Sequence, residues 1–185
     1  DVCSSDLLAK TGSASTSTVA GSPNSLRANA GTQSTITVQL KNGGGATLTA
    51  SGGTVTFASL PANQGTIGAV TDNGNGTYTA TYTVGTYAGN VVLQPKVNGI
   101  NFTNTLSLTV LAGAPTVSNS TVAGTNATLV AGANGTSTIT VQLKDVNGNN
   151  LTFSDGTITF DALSTGLGSL GSVVDNGNGT YSVTY

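Results

Sequence analysis

The chain has 185 residues, only 6% of them are charged, and its formal net charge at pH 7 is −2. Its five Lys and Arg residues are scattered singly, so the sequence lacks the clustered positive charge that binding to nucleic-acid phosphates requires. With one cysteine and no histidine, it also lacks the residues for a disulfide framework or a thiolate metal site.

The N-terminal segment differs in sequence from the rest of the chain. Residues 1–7, which include Cys3, resemble the in-frame translation of a common sequencing-library adapter, and we predict that they are an artefact. Leu8-Ala9 matches Leu111-Ala112 at an offset of 103 residues, so residues 8–16 are predicted to be a linker or the tail of a preceding repeat. No apolar run approaches the roughly 20 residues of a membrane helix, and direct membrane insertion is not expected.

Alternation of apolar and polar residues with a period of two is the main pattern of the sequence, and it predicts half-buried β-strands. In residues 34–40, Ile36, Val38 and Leu40 share one face, while the threonines and Gln39 face water. The abundant threonine and valine favour the same pleated state. Further strands are predicted, in chain order, at residues 17–20, 54–57, 66–71, 77–84, 90–94 and 105–111.

An internal repeat sets the domain organisation. The heptapeptide Asp-Asn-Gly-Asn-Gly-Thr-Tyr occurs at residues 72–78 and again at residues 175–181. At this offset, residues 17–82 align with residues 120–185 without a gap, and 37 of the 66 pairs are identical. The chain is therefore a tandem array of one unit. We predict three segments: a first repeat at 17–112, a linker at 113–119 and a second repeat at 120–185.

Short strands separated by Asn-Gly turns, with no helical spacing, predict an all-β chain of tandem immunoglobulin-like antiparallel β-sandwiches. The second repeat stops at Tyr185, the equivalent of Tyr82, so it is expected to be C-terminally truncated and to lack its last two strands. Unpaired neighbouring edges would destabilise it. Adding about 28 residues of native sequence, the length of the missing alignment, is expected to restore a cooperative melt.

Catalytic chemistry is not encoded in the repeat. General acid–base catalysis needs at least two tunable groups near a substrate, and Asp72 is the sole carboxylate of the first repeat. Of the acidic residues in the second repeat, Asp175 alone has a counterpart in the first. We therefore predict that the chain is not an enzyme, with no catalytic residue, no cofactor and no metal ligand assigned.

Two Asp- and Asn-rich segments have calcium binding as an alternative interpretation. Residues 145–149 carry oxygen ligands at alternate positions, as the start of a calcium loop does. However, position 150 is Asn rather than Gly and no glutamate closes the site, so a hairpin turn explains the same residues. Residues 72–76 allow the same two interpretations, with the turn again favoured. A calcium titration followed by thermal shift separates them.

The tyrosines have a functional and a structural interpretation. Tyr78, Tyr82 and Tyr87 could stack on sugar rings, but aromatic residues are more often part of the core. Strand alternation turns Tyr78 and Tyr82 inward together with Ala80 and Val84. Of the three, Tyr87 alone is then expected at the surface, in a Gly-flanked turn.

Several segments of the first repeat together form a recognisable motif, namely residues 34–41, 55–57, 72–82, 88–90 and 97–99. This combined motif resembles the bacterial Ig-like repeats of the invasin and intimin adhesins. The second repeat adds Lys144-Asp145 followed by Gly148-Asn149, which is similar to the strand-connecting turn of that family.

The resemblance implies stalk or spacer repeats of a bacterial surface adhesin, which mediates cell adhesion by presenting a distal binding domain. It implies a bacterial protein that is anchored in the outer membrane at the cell surface or secreted. The implied partners are neighbouring Ig-like repeats and a host or cell-surface receptor bound by a domain outside this chain. Nucleic acid is not an expected partner. Two alternatives remain: a ligand-binding module, either sugar-binding or a calcium-rigidified extender, and an accessory domain of a secreted carbohydrate-active enzyme.

Overall fold

A computed structural model describes residues 10–132, 134–161 and 166–185. The chain divides into two compact units, Asp1–Val110 and Leu111–Tyr185. The predicted adapter and the Leu8-Ala9 pair lie outside the described residues. Short antiparallel strands build both units, and the described part contains one 3₁₀ turn, Ala62–Gln64, in addition to strands. The all-β prediction is confirmed.

The strands of the first unit follow the predicted order with several short additions. They are β1 (Thr18–Ser22), β2 (Ser25–Arg27), β3 (Gln33–Gln39), β4 (Val55–Phe57), β5 (Thr66–Ile67), β6 (Thr71–Asp72), β7 (Thr77–Thr83), β8 (Gly89–Leu93), β9 (Pro95–Val97), β10 (Ile100–Asn101) and β11 (Leu106–Leu111).

The largest sheet of this unit is built around β3 and β7, in the order β1-β3-β7-β5, with β6 also paired to β7. The antiparallel register places Ile36 opposite Ala80 and Val38 opposite Tyr78. Since side chains alternate across a strand, these residues and Tyr82 all point to one face, and all are buried. The period-two pattern of both strands is confirmed.

Two smaller sheets cover that face and complete the sandwich. The sheet β2-β11-β8 brings Leu108 into a buried cluster with Ile36, at one end of the large sheet. The sheet β10-β9-β4 brings Val97 into a second cluster with Val38 and Tyr78, at the other end. Each such buried side chain contributes roughly 1.5–3 kcal/mol. Val19 and Phe57 pack against both clusters, so the two parts of the core adjoin.

Three sequence-based expectations for this unit need correction. The single strand predicted at residues 66–71 is two short strands, because the register with β7 shifts by one residue between them: Ile67 pairs with Tyr82, whereas Thr71 pairs with Thr79. The strands β2, β9 and β10 are too short to show a period, and they were not predicted. Gln39 does not simply face water; its side chain is half-buried.

The second unit contains one described sheet, in the order β12-β13-β15-β14. Its strands are β12 (Thr121–Gly124), β13 (Thr138–Gln142), β14 (Val174–Asp175) and β15 (Thr180–Thr184). At the repeat offset these correspond to β1, β3, β6 and β7. Val141, Leu143, Leu151 and Tyr181 form its buried core, which matches the second of the two clusters in the first unit.

The described residues contain no helix that is long and apolar enough to span a membrane.

Candidate functional site

A tight turn after β13 contains Asp145, a carboxylate that accepts several hydrogen bonds. We call Lys144–Asn149 the linker-binding turn. Asp145 N donates to the Asn149 carbonyl at 3.0 Å, and Gly148 N donates back to the Asp145 carbonyl at 3.0 Å. Gly148 has a φ of 81°, a conformation that favours glycine. The Asn-Gly signal in the sequence therefore forms a hairpin turn.

The side chain of Asp145 is fully buried and accepts four hydrogen bonds. Its Oδ1 accepts from the amides of Asn147 at 2.9 Å and Asn149 at 3.0 Å. Its Oδ2 accepts from the Gly113 amide at 2.9 Å and from Asn149 Nδ2 at 2.8 Å. Burial raises the pKa of this carboxyl, but the bonds from Asn149, Gly113 and Asn147 outweigh it and hold the pKa below its ordinary value.

The same turn binds the segment that precedes β12. Besides the Gly113 bond, Thr116 N donates to the Lys144 carbonyl at 2.8 Å. Asn119 Nδ2 donates to the carbonyls of Asp145 at 2.9 Å and Val146 at 2.8 Å. Residues 113–119, predicted as a linker, are thus bound to the second unit along much of their length.

The first unit repeats this arrangement with an amide in place of the carboxylate. Asn42, the counterpart of Asp145, accepts at Oδ1 from Gly44 N at 3.1 Å and Ala46 N at 3.0 Å. Ser13 N donates to the Lys41 carbonyl at 2.8 Å, and Thr16 Oγ1 donates to the Asn42 carbonyl at 2.7 Å. In both units the residues before the first strand are bound by the same turn.

The duplicated Asp-Asn-Gly-Asn-Gly segments are turns that lead into β7 and β15. Asp72 Oδ1 accepts from Gly74 N, and Asp175 Oδ1 accepts from Gly177 N, each at 2.9 Å. The Gly74 amide and then the Ser51 hydroxyl lower the pKa of Asp72. These contacts account for the repeated spacing through backbone geometry, since local Asp-to-amide bonds define such turns.

The described residues contain no group of three or more His, Cys, Asp or Glu side chains that could hold a metal ion. The four N–H groups around Asp145 take up the lone pairs that a cation would need. The turn interpretation therefore explains the observed contacts. A calcium titration followed by thermal shift tests the alternative.

The tyrosines do not form a common surface platform. Tyr78 and Tyr82 are buried, as the alternation predicted, whereas Tyr87 is 36% exposed. Tyr78 Oη donates to the Gly53 carbonyl at 2.7 Å, and Tyr82 Oη donates to the Gln64 carbonyl at 2.6 Å. Both rings belong to the core, with their hydroxyls bonded to loop backbone.

A glutamine on β3 has a structural role that the sequence pattern did not reveal. Gln39 Nε2 donates to the carbonyls of Leu40, Leu48 and Gly76 at 3.0, 3.3 and 3.1 Å. Gln142 makes the equivalent three contacts in the second unit. One feature of the sequence does point to this role. Glutamine occupies this position in both repeats, although any polar residue would satisfy the alternation.

The family model and two solved structures that match this chain point to bacterial invasins and adhesins. The family model of invasin domain 3 matches residues 13–113 and again residues 116–185. The chain is similar to the solved structure of InvD from Yersinia pseudotuberculosis, with 31% identity and a TM-score of 0.69 over 92% of this chain and 49% of that one. It is also similar to FdeC, an adhesin of Escherichia coli, with 30% identity and a TM-score of 0.61 over 94% of this chain and 56% of that one.

Invasin, a bacterial integrin-binding protein, shares the fold, with 24% identity and a TM-score of 0.63 over 95% of this chain and 35% of that one. The chain thus spans about half or less of each of these structures. No match was found among curated protein sequences.

Proposed function

This chain belongs to the invasin domain 3 family of bacterial Ig-like adhesin domains, and from that premise we propose that its two units are spacer repeats of a bacterial cell-surface adhesin. In this role the units contribute length and stiffness to a stalk. A different domain of the same adhesin binds the receptor on a host or another cell.

One observation carries the proposal: in each unit, residues of the segment before the first strand are hydrogen-bonded to the same turn. In the second unit these bonds come from Gly113, Thr116 and Asn119. Such bonds reduce the number of backbone conformations open to a connecting segment. A spacer needs short, ordered connections, whereas a chemical function does not.

The distribution of polar groups supports the same role. The carboxylates of Asp72, Asp145 and Asp175 are all engaged by backbone amides of their own turns. They stabilise loops and are not presented together to a substrate. This is the basis for proposing a structural and not an enzymatic function.

A surface-display experiment tests the proposal. The 185-residue chain is inserted between an outer-membrane anchor and a peptide tag in a Gram-negative strain with long O-antigen, and antibody binding to the tag is measured by flow cytometry. A spacer raises tag accessibility several-fold over the anchor and tag alone. The matched control replaces the chain with an unrelated pair of Ig-like domains of equal length, which should restore the same accessibility.

Two results would overturn the proposal. In the first, the unrelated pair fails to replace the chain although it is displayed in equal amount. In the second, the purified chain itself binds host cells or glycans, which would support the ligand-binding alternative.

A further inference from the structure

The two oxygens of the Asp145 carboxylate bind different parts of the second unit. Oδ1 accepts from the amides of Asn147 and Asn149, which lie in the linker-binding turn itself. Oδ2 accepts from the Gly113 amide at 2.9 Å, across a separation of 32 residues. Gly113 is buried at this contact. The start of the linker is thus attached to the turn through one ionisable oxygen.

The charge of Asp145 is balanced by neutral groups. All four of its bonded donors are amide N–H groups. The linker, residues 113–119, contains no titratable side chain, and neither do β12 and β13, while Lys144 is the other charged residue of the turn. Hydrogen bonds to an ionised acceptor are roughly twice as strong as bonds between neutral groups. Protonation of the carboxylate therefore weakens these bonds directly.

The donors around each oxygen determine which bond is lost on protonation. At Oδ1 both donors are backbone amides of the turn, so a proton there would leave two fixed N–H groups facing an O–H. At Oδ2 one donor is Asn149 Nδ2, and a side-chain amide can rotate to present its oxygen instead. The Gly113 N–H belongs to the backbone and has no such freedom. A proton on Oδ2 consequently leaves this buried N–H without an acceptor, which is unfavourable.

The later bonds of the linker do not depend on this proton. Thr116 N donates to the Lys144 carbonyl, and Asn119 Nδ2 donates to the carbonyls of Asp145 and Val146. Backbone carbonyls do not titrate. The loss is therefore confined to the residues before Thr116.

The first unit has the same turn without the ionisable group. Asn42 occupies the position of Asp145, and its side-chain amide does not titrate. Ser13 N and Thr16 Oγ1 donate to backbone carbonyls of this turn. The two repeats should therefore respond differently to acid.

We propose that the linker-binding turn of the second unit is an acid-sensitive clasp, in which protonation of Asp145 releases residues 113–115 while Thr116 and Asn119 stay bound and the unit stays folded. The clasp sets how much of the connecting segment is ordered. It deepens the proposed spacer role by making the stiffness of the connection depend on pH, and it rests on that role for this consequence alone.

The pH range of the release follows from the bonding of the carboxyl. The pKa of Asp145 is lowered in the folded unit, because the hydrogen bonds from Asn149, Gly113 and Asn147 outweigh the effect of burial. The closed form is therefore present at neutral pH and is lost as the pH falls through this lowered value, below about pH 4.

Amide hydrogen exchange, measured by NMR for each residue of the full 185-residue chain, tests the clasp. Between about pH 5 and pH 2.5, the protection of the Gly113 amide should fall at least about tenfold after correction for the intrinsic pH dependence of exchange. The Thr116 amide and the amides of β13 and β3 should keep their protection, because their acceptors are carbonyls.

A matched pair of variants assigns the effect to Asp145. Asp145→Asn has no titratable group and turns an NH₂ group toward the Gly113 amide, so this amide should exchange rapidly at pH 7 already, with no further change in acid. Asp175→Asn removes a carboxylate of the same unit that is bonded within its own turn, and it should keep the wild-type profile at Gly113. If Asp145→Asn does not fold, the wild-type profile decides by itself.

Three results would overturn the proposal. One is a Gly113 amide whose protection stays constant over this pH range. Another is loss of protection at Gly113 together with β13, since acid would then unfold the whole unit. The third is a folded Asp145→Asn chain with the wild-type profile. None of these measurements depends on display at a cell surface, so failure of the clasp and failure of the spacer role are distinguishable.

Discussion

At the scale of single residues, Ser34 and Ser137 occupy equivalent positions in the two repeats but differ in hydrogen bonding. Ser137 Oγ accepts from Asn126 N at 3.1 Å. Ser34 Oγ is buried and has no hydrogen-bond partner within the described part of the chain. The cause is the residue at the position of Asn126, which is Pro23 in the first unit and has no N–H to donate.

The first prediction follows from this difference. Ser34→Ala removes an unpaired buried hydroxyl, so it should stabilise the first unit by about 1 kcal/mol. Ser137→Ala leaves the Asn126 amide without its partner and should destabilise the second unit by a similar amount. Urea denaturation of both variants measures the two signs. Loss of stability in Ser34→Ala would contradict the assignment of an unpaired hydroxyl.

The second residue-scale prediction concerns the hydroxyl of Tyr78. Tyr78 Oη donates to the Gly53 carbonyl at 2.7 Å and also accepts from the Gly52 amide at 3.2 Å. Tyr78→Phe leaves a buried N–H unpaired and should destabilise the first unit by about 2 kcal/mol. Chemical denaturation measures this cost, and an unchanged stability would show that the two bonds of this hydroxyl do not contribute.

At the scale of elements, the linker-binding turn has a carboxylate, Asp145, in the second repeat and an amide, Asn42, at the equivalent position of the first. Asp145→Asn keeps the Oδ1 acceptor, as Asn42 does in the first unit, but turns an NH₂ group toward the donors Gly113 N and Asn149 Nδ2. This substitution should destabilise the second unit by roughly 2 kcal/mol or more. The matched change Asn42→Asp tests whether the loss belongs to this site, and a neutral Asp145→Asn would contradict the four-donor arrangement.

The same carboxylate predicts a dependence of stability on pH. The pKa of Asp145 is lowered in the folded unit, while the unfolded chain has an ordinary aspartate pKa of about 3.9. Its stabilising contribution is therefore fully present above about pH 4 and is lost as the pH falls through the folded pKa. Melting curves between pH 7 and 2.5 should show this loss in wild type and a smaller one in Asp145→Asn. Identical pH profiles would contradict it.

At the scale of the whole molecule, the two units differ in how completely their shared core positions are covered. Ile36 and Tyr82 are fully buried, whereas their counterparts Ile139 and Tyr185 are partly exposed. Less buried apolar area means less stabilisation. We therefore expect the second unit to unfold first. Hydrogen exchange during urea titration should show exchange of β13 and β15 before β3 and β7; the reverse order, or one shared transition, would contradict the expectation.

Much of the fold was predictable because it depends on local patterns. The inward face of β3 and β7 follows from strict alternation, and the turn at residues 72–76 follows from two Asn-Gly pairs. Other features depend on distant residues. The alternation predicts that Gln39 faces solvent. Two of the three carbonyls that it binds, those of Leu48 and Gly76, lie in segments that meet β3 only after folding.

The candidate site divides in the same way. The sequence predicted the turn at Asp145 from residues 145–149 alone, since the Asn-Gly pair acts locally. It did not predict that the carboxylate would also accept from Gly113, because that bond closes a gap of 32 residues. The calcium alternative remained open at the level of sequence for this reason.

What the sequence determined by itself was the repeat, the strand class and the face of each long strand, because these depend on spacing along the chain. Tertiary structure decided which short segments become strands. Val55-Thr56-Phe57 pairs with β9 and forms β4, while the near-identical Ile158-Thr159-Phe160 is not in a strand. Three residues cannot hold an extended conformation by their own propensity, so the presence of a hydrogen-bonding partner decides the outcome.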